Sequence, residues 1–149
     1  MIRRIVSGGQ TGVDRAALDA AVELGLPCGG WCPRGRLAED GPIDPRYPLE
    51  ETPSGDYTQR TEWNVRDSDG TLAFCWGPPR GGTAFTIDVA RRLGKSLLVI
   101  DFEKKSDPAI LRPWVERHGI EVLNVAGPRE SQRPDAYELV KHFLLAALR

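Results

Sequence analysis

The chain has 149 residues, of which 40% are hydrophobic and 28% charged, and this composition predicts one globular domain spanning residues 1–149. Its formal net charge of −1 argues against nucleic acid or an anionic membrane surface as a partner. No apolar run has the length of a membrane span or of a secretory leader, and the three cysteines are an odd number, so we expect a cytoplasmic protein.

The first half of the chain begins with an apolar stretch followed by a helical pattern. Residues 2–6 form a predicted strand, and residues 11–24 form a predicted helix in which alanine and leucine recur at helical spacing. A second short strand is predicted in "LPCGGWCP", residues 26–33. Residues 34–56 are rich in proline and glycine, and we interpret this long loop as an ordered, functional excursion. The next predicted helix covers residues 57–68.

The second half of the chain alternates strands and helices more regularly. In chain order we predict a strand at 71–76, a helix at 83–93, a strand at 96–102, a helix at 107–118, a strand at 120–125 and a helix at 134–148. Strands separated by helices favour right-handed crossovers between parallel strands. The predicted fold class is therefore α/β, a single Rossmann-like domain with a mostly parallel, doubly wound sheet flanked by helices.

Three of the predicted strand-to-helix loops are rich in glycine. They are "SGGQTG" (7–12), "GPPRGGT" (77–83) and "AGPRES" (126–131). In such a sheet these loops lie on one edge, at the carboxyl ends of the strands, where ligands bind. Glycine lets a ligand approach the backbone, and a helix N-terminus offers unpaired N–H groups at a positive dipole end. We therefore expect the three loops to bind a small anionic ligand such as a phosphate group.

The candidate ligand-binding residues come from these loops, from the helix after the first loop, and from two positions elsewhere. They are Gly8, Gly9, Gln10, Thr11, Gly12, Asp14, Arg34, Asn64, Arg80, Gly81, Gly82, Thr83, Gly127, Arg129, Glu130 and Ser131. Thr11 and Asp14 also fit a T-x-x-D capping pattern. Thr11 is thus either a helix cap or a ligand contact, and Asp14 either caps the helix or holds a ligand hydroxyl or ammonium group.

The predicted helix at 57–68 carries a polar stripe. Thr61, Asn64, Val65 and Ser68 share one face, at spacings of three and four. If this face points inward, its polar groups are placed to hydrogen-bond a ligand. The alternative is a solvated face, with Trp63 packing inward instead.

No catalytic motif stands out. The chain contains no P-loop, no G-x-G-x-x-G and no G-x-S-x-G elbow. The acidic residues available as acid or base are Asp14, Glu39, Asp40, Asp67 and Glu130, and their spacing singles out no pair. Cys28 and Cys32 in "CGGWC" are either zinc ligands or buried or loop thiols, and we predict no metal site because His118 and His142 are distant in sequence.

Five stretches together resemble a known family over roughly residues 3–145. They are "GGQTGVDRAALDAA", "GGWCPRGRLAEDG", "RTEWNVRDSDGTLAF", "PRGGT" and "AGPRES", and the family is the putative molybdenum carrier family. It is a circularly permuted branch of the Rossmann-like nucleotide-binding superfamily that also contains the lysine-decarboxylase-like phosphoribohydrolases. The resemblance implies a homo-oligomer, a dimer or tetramer, with an open, anion-lined pocket. The family is named for similarity to a carrier of the molybdenum cofactor, a pterin phosphate, which implies that cofactor or a nucleotide as the bound ligand.

The chain departs from the phosphoribohydrolase signature P-G-G-x-G-T-x-E-E at its catalytic position. In "PPRGGTAFT", Gly82 and Thr83 match, Arg80 replaces a glycine, and Phe85 and Thr86 stand where the acidic residues would be. We therefore predict a binding or carrier protein for a phosphate-bearing, nucleotide-like or pterin-like ligand. The alternatives are a nucleotide N-glycosidase or other nucleotide-processing hydrolase, and an interaction module with an apolar surface patch in place of a polar cleft.

The four tryptophans bear on assembly. Trp114 lies on an apolar helix stripe, so we expect it in the core. A large ring in the irregular 31–57 region, such as Trp31, is expected to anchor a contact between subunits.

Overall fold

A computed structural model describes all 149 residues of the chain. The helices are α1 (Val13–Leu24), α2 (Tyr57–Arg66), α3 (Gly81–Arg92), α4 (Leu111–His118) and α5 (Ala136–Leu148). The strands are β1 (Arg4–Val6), β2 (Cys28–Gly29), β3 (Trp31–Cys32), β4 (Leu37–Ala38), β5 (Gly41–Pro42), β6 (Glu50–Glu51), β7 (Gly70–Cys75), β8 (Ser96–Asp101) and β9 (Val122–Ala126). Every predicted helix and every predicted strand of the second half is present, with shifted ends.

Several element boundaries differ from the prediction for local reasons. Helix α1 begins at Val13 because Gly12, with a φ of 78°, is its N-cap, and no side chain caps it. Of the two alternatives for Thr11 and Asp14, the structure therefore does not show the helix cap. The predicted helix at 107–118 opens with one 3-10 turn, Pro108–Ile110, in which the Asp107 carboxylate accepts from the Ala109 N–H at 2.9 Å.

The central sheet contains five parallel strands in the order β2-β1-β9-β7-β8. The last strand of the chain thus lies between the first strand and β7. The sheet is flanked by the five helices, as the predicted Rossmann-like α/β fold requires. This order places β1, β9 and β7 side by side in the middle of the sheet.

Alternate residues of the strands pack on opposite faces of the sheet. Leu72 and Phe74 of β7 belong to the main core, which they share with buried side chains of α1, α4 and α5. On the other face, Val65 of α2 and Val89 of α3 pack together with Leu97 of β8. The helices therefore form two layers, and the carboxyl edge of the sheet lies between them.

Residues 34–56 form an ordered excursion, as predicted. Strand β4 pairs with β5 and strand β6 pairs with β3. The Arg36 guanidinium donates to the backbone carbonyls of Leu49, Asp44 and Tyr47, each at 3.0 Å. The apolar side chains of the excursion, including Ile43, pack on Leu18 of α1.

The cysteines are free thiols. Cys32 and Cys75 are buried, Cys28 is half-buried, and burial raises the pKa of all three. No group of three or more histidine, cysteine, aspartate or glutamate side chains is arranged to hold a metal ion. No helix has the length and apolar character needed to cross a membrane.

Candidate functional site

The strand order brings the three glycine-rich loops together. The loops at 7–12, 77–83 and 126–131 follow β1, β7 and β9, which are neighbours in the sheet. Between them and α2 lies a cleft with a volume of about 140 Å³. The residues that line it are Gln10, Asp14, Tyr57, Arg60, Thr61, Gly82, Thr83, Thr86, Ala126, Gly127, Arg129 and Gln132. The cleft is polar and lies at the carboxyl edge, where open parallel sheets bind their ligands.

The loop before α3 presents unpaired hydrogen-bond donors to this cleft. The N–H groups of Gly81, Gly82 and Thr83 donate to no acceptor in the protein, and Arg80, the N-cap of α3, makes no side-chain cap. The Thr83 residue is 6% exposed, and its hydroxyl has no hydrogen-bond partner. The first turn of a helix carries a positive dipole end, so an anion is stabilised at this position.

Gly82 is open to the cleft. A Cβ there would meet no heavy atom of the protein within 4 Å, and its φ is not in the left-handed region. The positive φ of 52° belongs to Gly81. The space beside Gly82 is therefore available to a ligand.

The loop after β1 is different, because several of its N–H groups are already paired. The Gln10 N–H donates to Asp14 Oδ2 at 3.2 Å, and the Thr11 N–H donates to Gln10 Oε1 at 3.1 Å. The Val13 N–H donates to the Pro128 carbonyl at 3.2 Å. A Cβ on Gly12 would lie 2.5 Å from that carbonyl oxygen, so Gly12 is required for the approach of the two loops. The loop contributes the side chains of Gln10 and Asp14 to the cleft, rather than a backbone cradle.

The loop after β9 already binds an anion, the carboxylate of Glu39. The Ser131 N–H donates to Glu39 Oε1 at 3.0 Å, and the Ser131 hydroxyl donates to Oε2 at 2.6 Å. The Thr11 hydroxyl donates to the same carboxylate and accepts from the Glu130 N–H at 3.1 Å. These hydrogen bonds lower the pKa of Glu39, the Ser131 bond most. Thr11 and Ser131 therefore hold a side chain of the protein at this loop.

Helix α2 supplies a basic residue that the sequence prediction missed. Arg60 Nη1 donates to the Gly8 carbonyl at 2.9 Å and lies 3.6 Å from Asp14 Oδ2. A side chain on Gly8 would collide with this guanidinium, so Gly8 makes room for Arg60 instead of for a ligand. Tyr57 and Thr61 of the same helix also line the cleft. The sequence did indicate a polar helix after the long excursion. It could not place Arg60 in the cleft, because that position depends on a hydrogen bond to Gly8, 52 residues away in the sequence.

Asp14 is the only carboxylate that lines the cleft. Its burial raises the pKa, against the lowering effect of Arg60 and of the Gln10 N–H. Desolvation is the larger effect, so the folded protein disfavours the charged carboxylate relative to an aspartate in water. A titratable group in such an environment often marks a functional site.

Several predicted site residues lie outside the cleft. The Asn64 side chain pairs with the backbone of Trp31, accepting from its N–H at 2.8 Å and donating to its carbonyl at 2.9 Å. Gly9 packs against Leu49, and the Arg34 side chain is exposed and makes no hydrogen bond or ion pair. Ser68, on the same stripe as Asn64, donates to the Val65 carbonyl at 3.0 Å. Of the polar stripe on α2, only Thr61 lines the cleft.

Arg80 lines an adjoining groove instead of the cleft. Its side chain is exposed, although the sequence predicts Arg80 as a ligand-binding residue beside the other residues of this loop. The groove has a volume of about 430 Å³ and shares Thr83 and Gln132 with the cleft. Trp76 and Arg133 also line it, with the Arg133 guanidinium 5.1 Å from the centre of the Trp76 ring. The cleft and the groove thus adjoin each other across the start of α3.

Comparison with known proteins agrees with this architecture. The family model of cpYpsA, the circularly permutated YpsA SLOG family, matches residues 5–148. A crystal structure of a protein named "putative molybdenum carrier protein", from Syntrophus aciditrophicus SB, is 45% identical, with a TM-score of 0.94 over 99% of this chain and 94% of that chain. No curated protein sequence matches the chain. With a family match across nearly its whole length, the chain belongs to the circularly permutated YpsA SLOG family.

Proposed function

We propose that the protein binds a small phosphate-bearing ligand, nucleotide-like or pterin-like, with the phosphate at the N-terminus of α3. The observation that carries this proposal is the set of unpaired N–H groups at Gly81, Gly82 and Thr83 beside the Thr83 hydroxyl, which has no partner in the protein and is accessible from the cleft side of a largely buried residue. Helix N-termini with these properties bind phosphate groups. Neither of the other two loops offers three consecutive N–H groups without an acceptor, which favours α3 as the place of the anion.

The cleft and the adjoining groove differ in size, and we assign a different part of the ligand to each. The cleft of about 140 Å³ accommodates a phosphate group but is smaller than the 300 Å³ or more typical of a whole small-molecule site. The adjoining groove of about 430 Å³ has room for the organic part. Arg80 and Arg133 on this groove, and Arg129 in the cleft, offer positive charge along the whole path.

A carrier role is the form of binding that the solved relative's name suggests. The molybdenum cofactor, as a pterin phosphate, fits the donors at α3 through its phosphate. The chain has no cluster of histidine, cysteine or acidic residues to hold a metal directly. In this proposal the protein therefore recognises the phosphate and the organic part of the ligand, and any metal is carried by the ligand itself.

The proposal is tested by thermal denaturation with inorganic phosphate, nucleoside phosphates, pterin phosphates and molybdate. A ligand at a hundredfold excess over its dissociation constant adds roughly 2.7 kcal/mol to the free energy of unfolding. We expect phosphate-bearing compounds to raise the Tm, and Gly82→Val to abolish the rise by filling the space beside the N–H groups.

Gly55→Val is the matched control for that variant. Gly55 is exposed, its φ is not in the left-handed region, and its nearest heavy atom is 4.0 Å from a Cβ, so valine is accommodated away from the cleft. It should keep the ligand response of the wild type. If no anion raises the Tm, or if Gly82→Val responds as Gly55→Val does, the proposal fails.

Asp14 supports a second candidate, a hydrolase acting on a nucleotide. It is a buried carboxylate in the cleft with a raised pKa, and such a group can transfer a proton to a leaving base. Phe85 and Thr86 occupy the positions of the acidic residues in the phosphoribohydrolase signature, so Asp14 would have to replace them. Release of free base from nucleoside monophosphates, lost in Asp14→Asn, would support this candidate, and absence of release would remove it.

A further inference from the structure

The carboxylate of Asp14 retains acceptor capacity inside the cleft. Asp14 is 8% exposed, and its carboxylate accepts from the Gln10 N–H at 3.2 Å, with the Gly8 N–H as a second nearby backbone donor. Arg60 Nη1 lies 3.6 Å away, beyond hydrogen-bond distance, and donates to the Gly8 carbonyl instead. A carboxylate offers about four lone-pair sites, so part of its acceptor capacity is unused within the protein.

The same small cleft therefore contains donors and an acceptor. Gly82, whose N–H group is unpaired, and Thr83, whose hydroxyl has no partner, line it together with Asp14, in a volume of only about 140 Å³. A ligand that fills this space touches both. An oxyanion that only accepts hydrogen bonds, such as molybdate, would bring oxygen atoms against the Asp14 carboxylate, where water no longer screens the repulsion.

We infer that the ligand carries a hydroxyl group close to its phosphate and that Asp14 accepts a hydrogen bond from this hydroxyl. The inference rests on the proposed function, because it assumes that the phosphate lies at the N-terminus of α3. The ligand class is a phosphate monoester of a hydroxylated carbon chain or sugar, as opposed to a free oxyanion. Asp14 is then the residue that selects this class.

The inference is tested with propyl phosphate and glycerol 1-phosphate, which share a three-carbon skeleton and differ in two hydroxyl groups. A ligand that lacks the hydrogen-bond donor leaves the charged carboxylate unpaired. The loss of such a hydrogen bond corresponds to roughly a 10- to 100-fold difference in affinity. Isothermal titration of the wild-type protein should give a Kd for glycerol 1-phosphate that is lower by about this factor.

Asp14→Ala separates recognition of the hydroxyl from a general role in structure. In this variant the ratio of the two Kd values should be close to one. Propyl phosphate should bind the variant more tightly than it binds the wild type, because the repulsive charge is gone. Damage to the fold would weaken the binding of both esters alike. If Asp14→Ala does not fold, Asp14→Asn preserves the shape of the side chain and should reduce the ratio while leaving propyl phosphate binding intact or improved.

The outcomes distinguish this inference from the proposed function. Equal affinity of the wild type for the two esters would overturn the role of Asp14 and leave phosphate binding at α3 standing. Tighter binding of molybdate than of glycerol 1-phosphate would overturn it in the same way. Binding of neither ester, with no effect of Gly82→Val on any anion, would overturn both.

Discussion

At the scale of single residues, the glycines near the cleft have three different functions. Gly82 leaves space open to a ligand, Gly8 leaves space for the Arg60 guanidinium, and Gly12 allows the Pro128 carbonyl to reach the start of α1. All three were expected to expose backbone to an anion. A glycine in the sequence predicts close approach of another group, but whether that group is a ligand or the protein depends on the tertiary structure.

Asp14 should lower the stability of the free protein, because its pKa is raised by burial. A raised pKa in the folded state means that stability is complete below the unfolded value of 3.8 and decreases as the pH rises through the folded pKa. We therefore expect Asp14→Asn to have a higher Tm than the wild type at pH 7, with the advantage shrinking towards pH 4. Thermal melts without ligand across this pH range measure the effect.

Asp40→Asn provides a control of opposite sign. Arg15 donates to Asp40 at 2.9 Å and lowers its pKa, so the charged form of Asp40 is the one that stabilises the fold. Its substitution should lower the Tm at pH 7 by a small amount, as expected for an ion pair whose carboxylate is half exposed. If both variants shift the Tm in the same direction, the assignment of Asp14 as a destabilising buried charge is wrong.

At the scale of secondary-structure elements, the periodicity of the sequence predicted the sheet and helices well. Apolar runs such as "SLLVID" and the alanine stripe of α1 are determined by local spacing, so they can be recognised without the tertiary structure. Local spacing could not show which group, from a ligand or from the protein, each glycine-rich loop binds. Glu39 and Ser131 are 92 residues apart, and their contact decides that the loop after β9 binds a protein carboxylate.

Glu39 should therefore connect the excursion to the last glycine-rich loop. Its pKa is lowered, so it stabilises the fold above the unfolded value of 4.5, and this contribution is lost as the pH falls through the lower folded pKa. We expect Glu39→Gln to have a lower Tm than the wild type at pH 7, and the two proteins to converge in acid. Melts between pH 3 and pH 7 test this prediction.

The same variant should change the mobility of the loop. With glutamine, the Ser131 N–H loses its charged acceptor, and the Thr11 hydroxyl that accepts from the Glu130 N–H loses the carboxylate that orients it, so hydrogen exchange at both N–H groups should accelerate. Exchange at Gly81 and Gly82 at the start of α3 should be unaffected and is the internal reference. Unchanged exchange at Glu130 and Ser131 would contradict the view that Glu39 acts as the anion of this loop.

At the scale of the whole molecule, the order of the strands leaves β8 on the outer edge of the sheet. This strand has six residues, no proline and no charge before Asp101, and its Val99 is 37% exposed. An uncovered apolar edge of this length is a surface that pairs with another strand. Trp31 packs edge-on against Trp63 at 4.7 Å and donates to Asp67 at 2.9 Å within the same chain, and its role in a subunit contact stays a prediction.

The predicted homo-oligomer should therefore form through the β8 edge of two copies of the chain. A twofold contact places a surface against itself, and the groove beside β8 carries both signs of charge, with Asp88 and Glu103 near Arg91 and Lys104. We expect light scattering at micromolar concentration to give twice the mass of one chain for the wild type. The variant Val99→Lys should give the mass of one chain, because it places a charge in the sheet that the two copies would share.

Val22→Lys is the matched control. Val22 is 64% exposed on α1, away from the β8 edge, so this variant should remain dimeric. A wild-type protein that is monomeric, or a Val99→Lys variant that stays dimeric, would exclude the β8 edge as the interface.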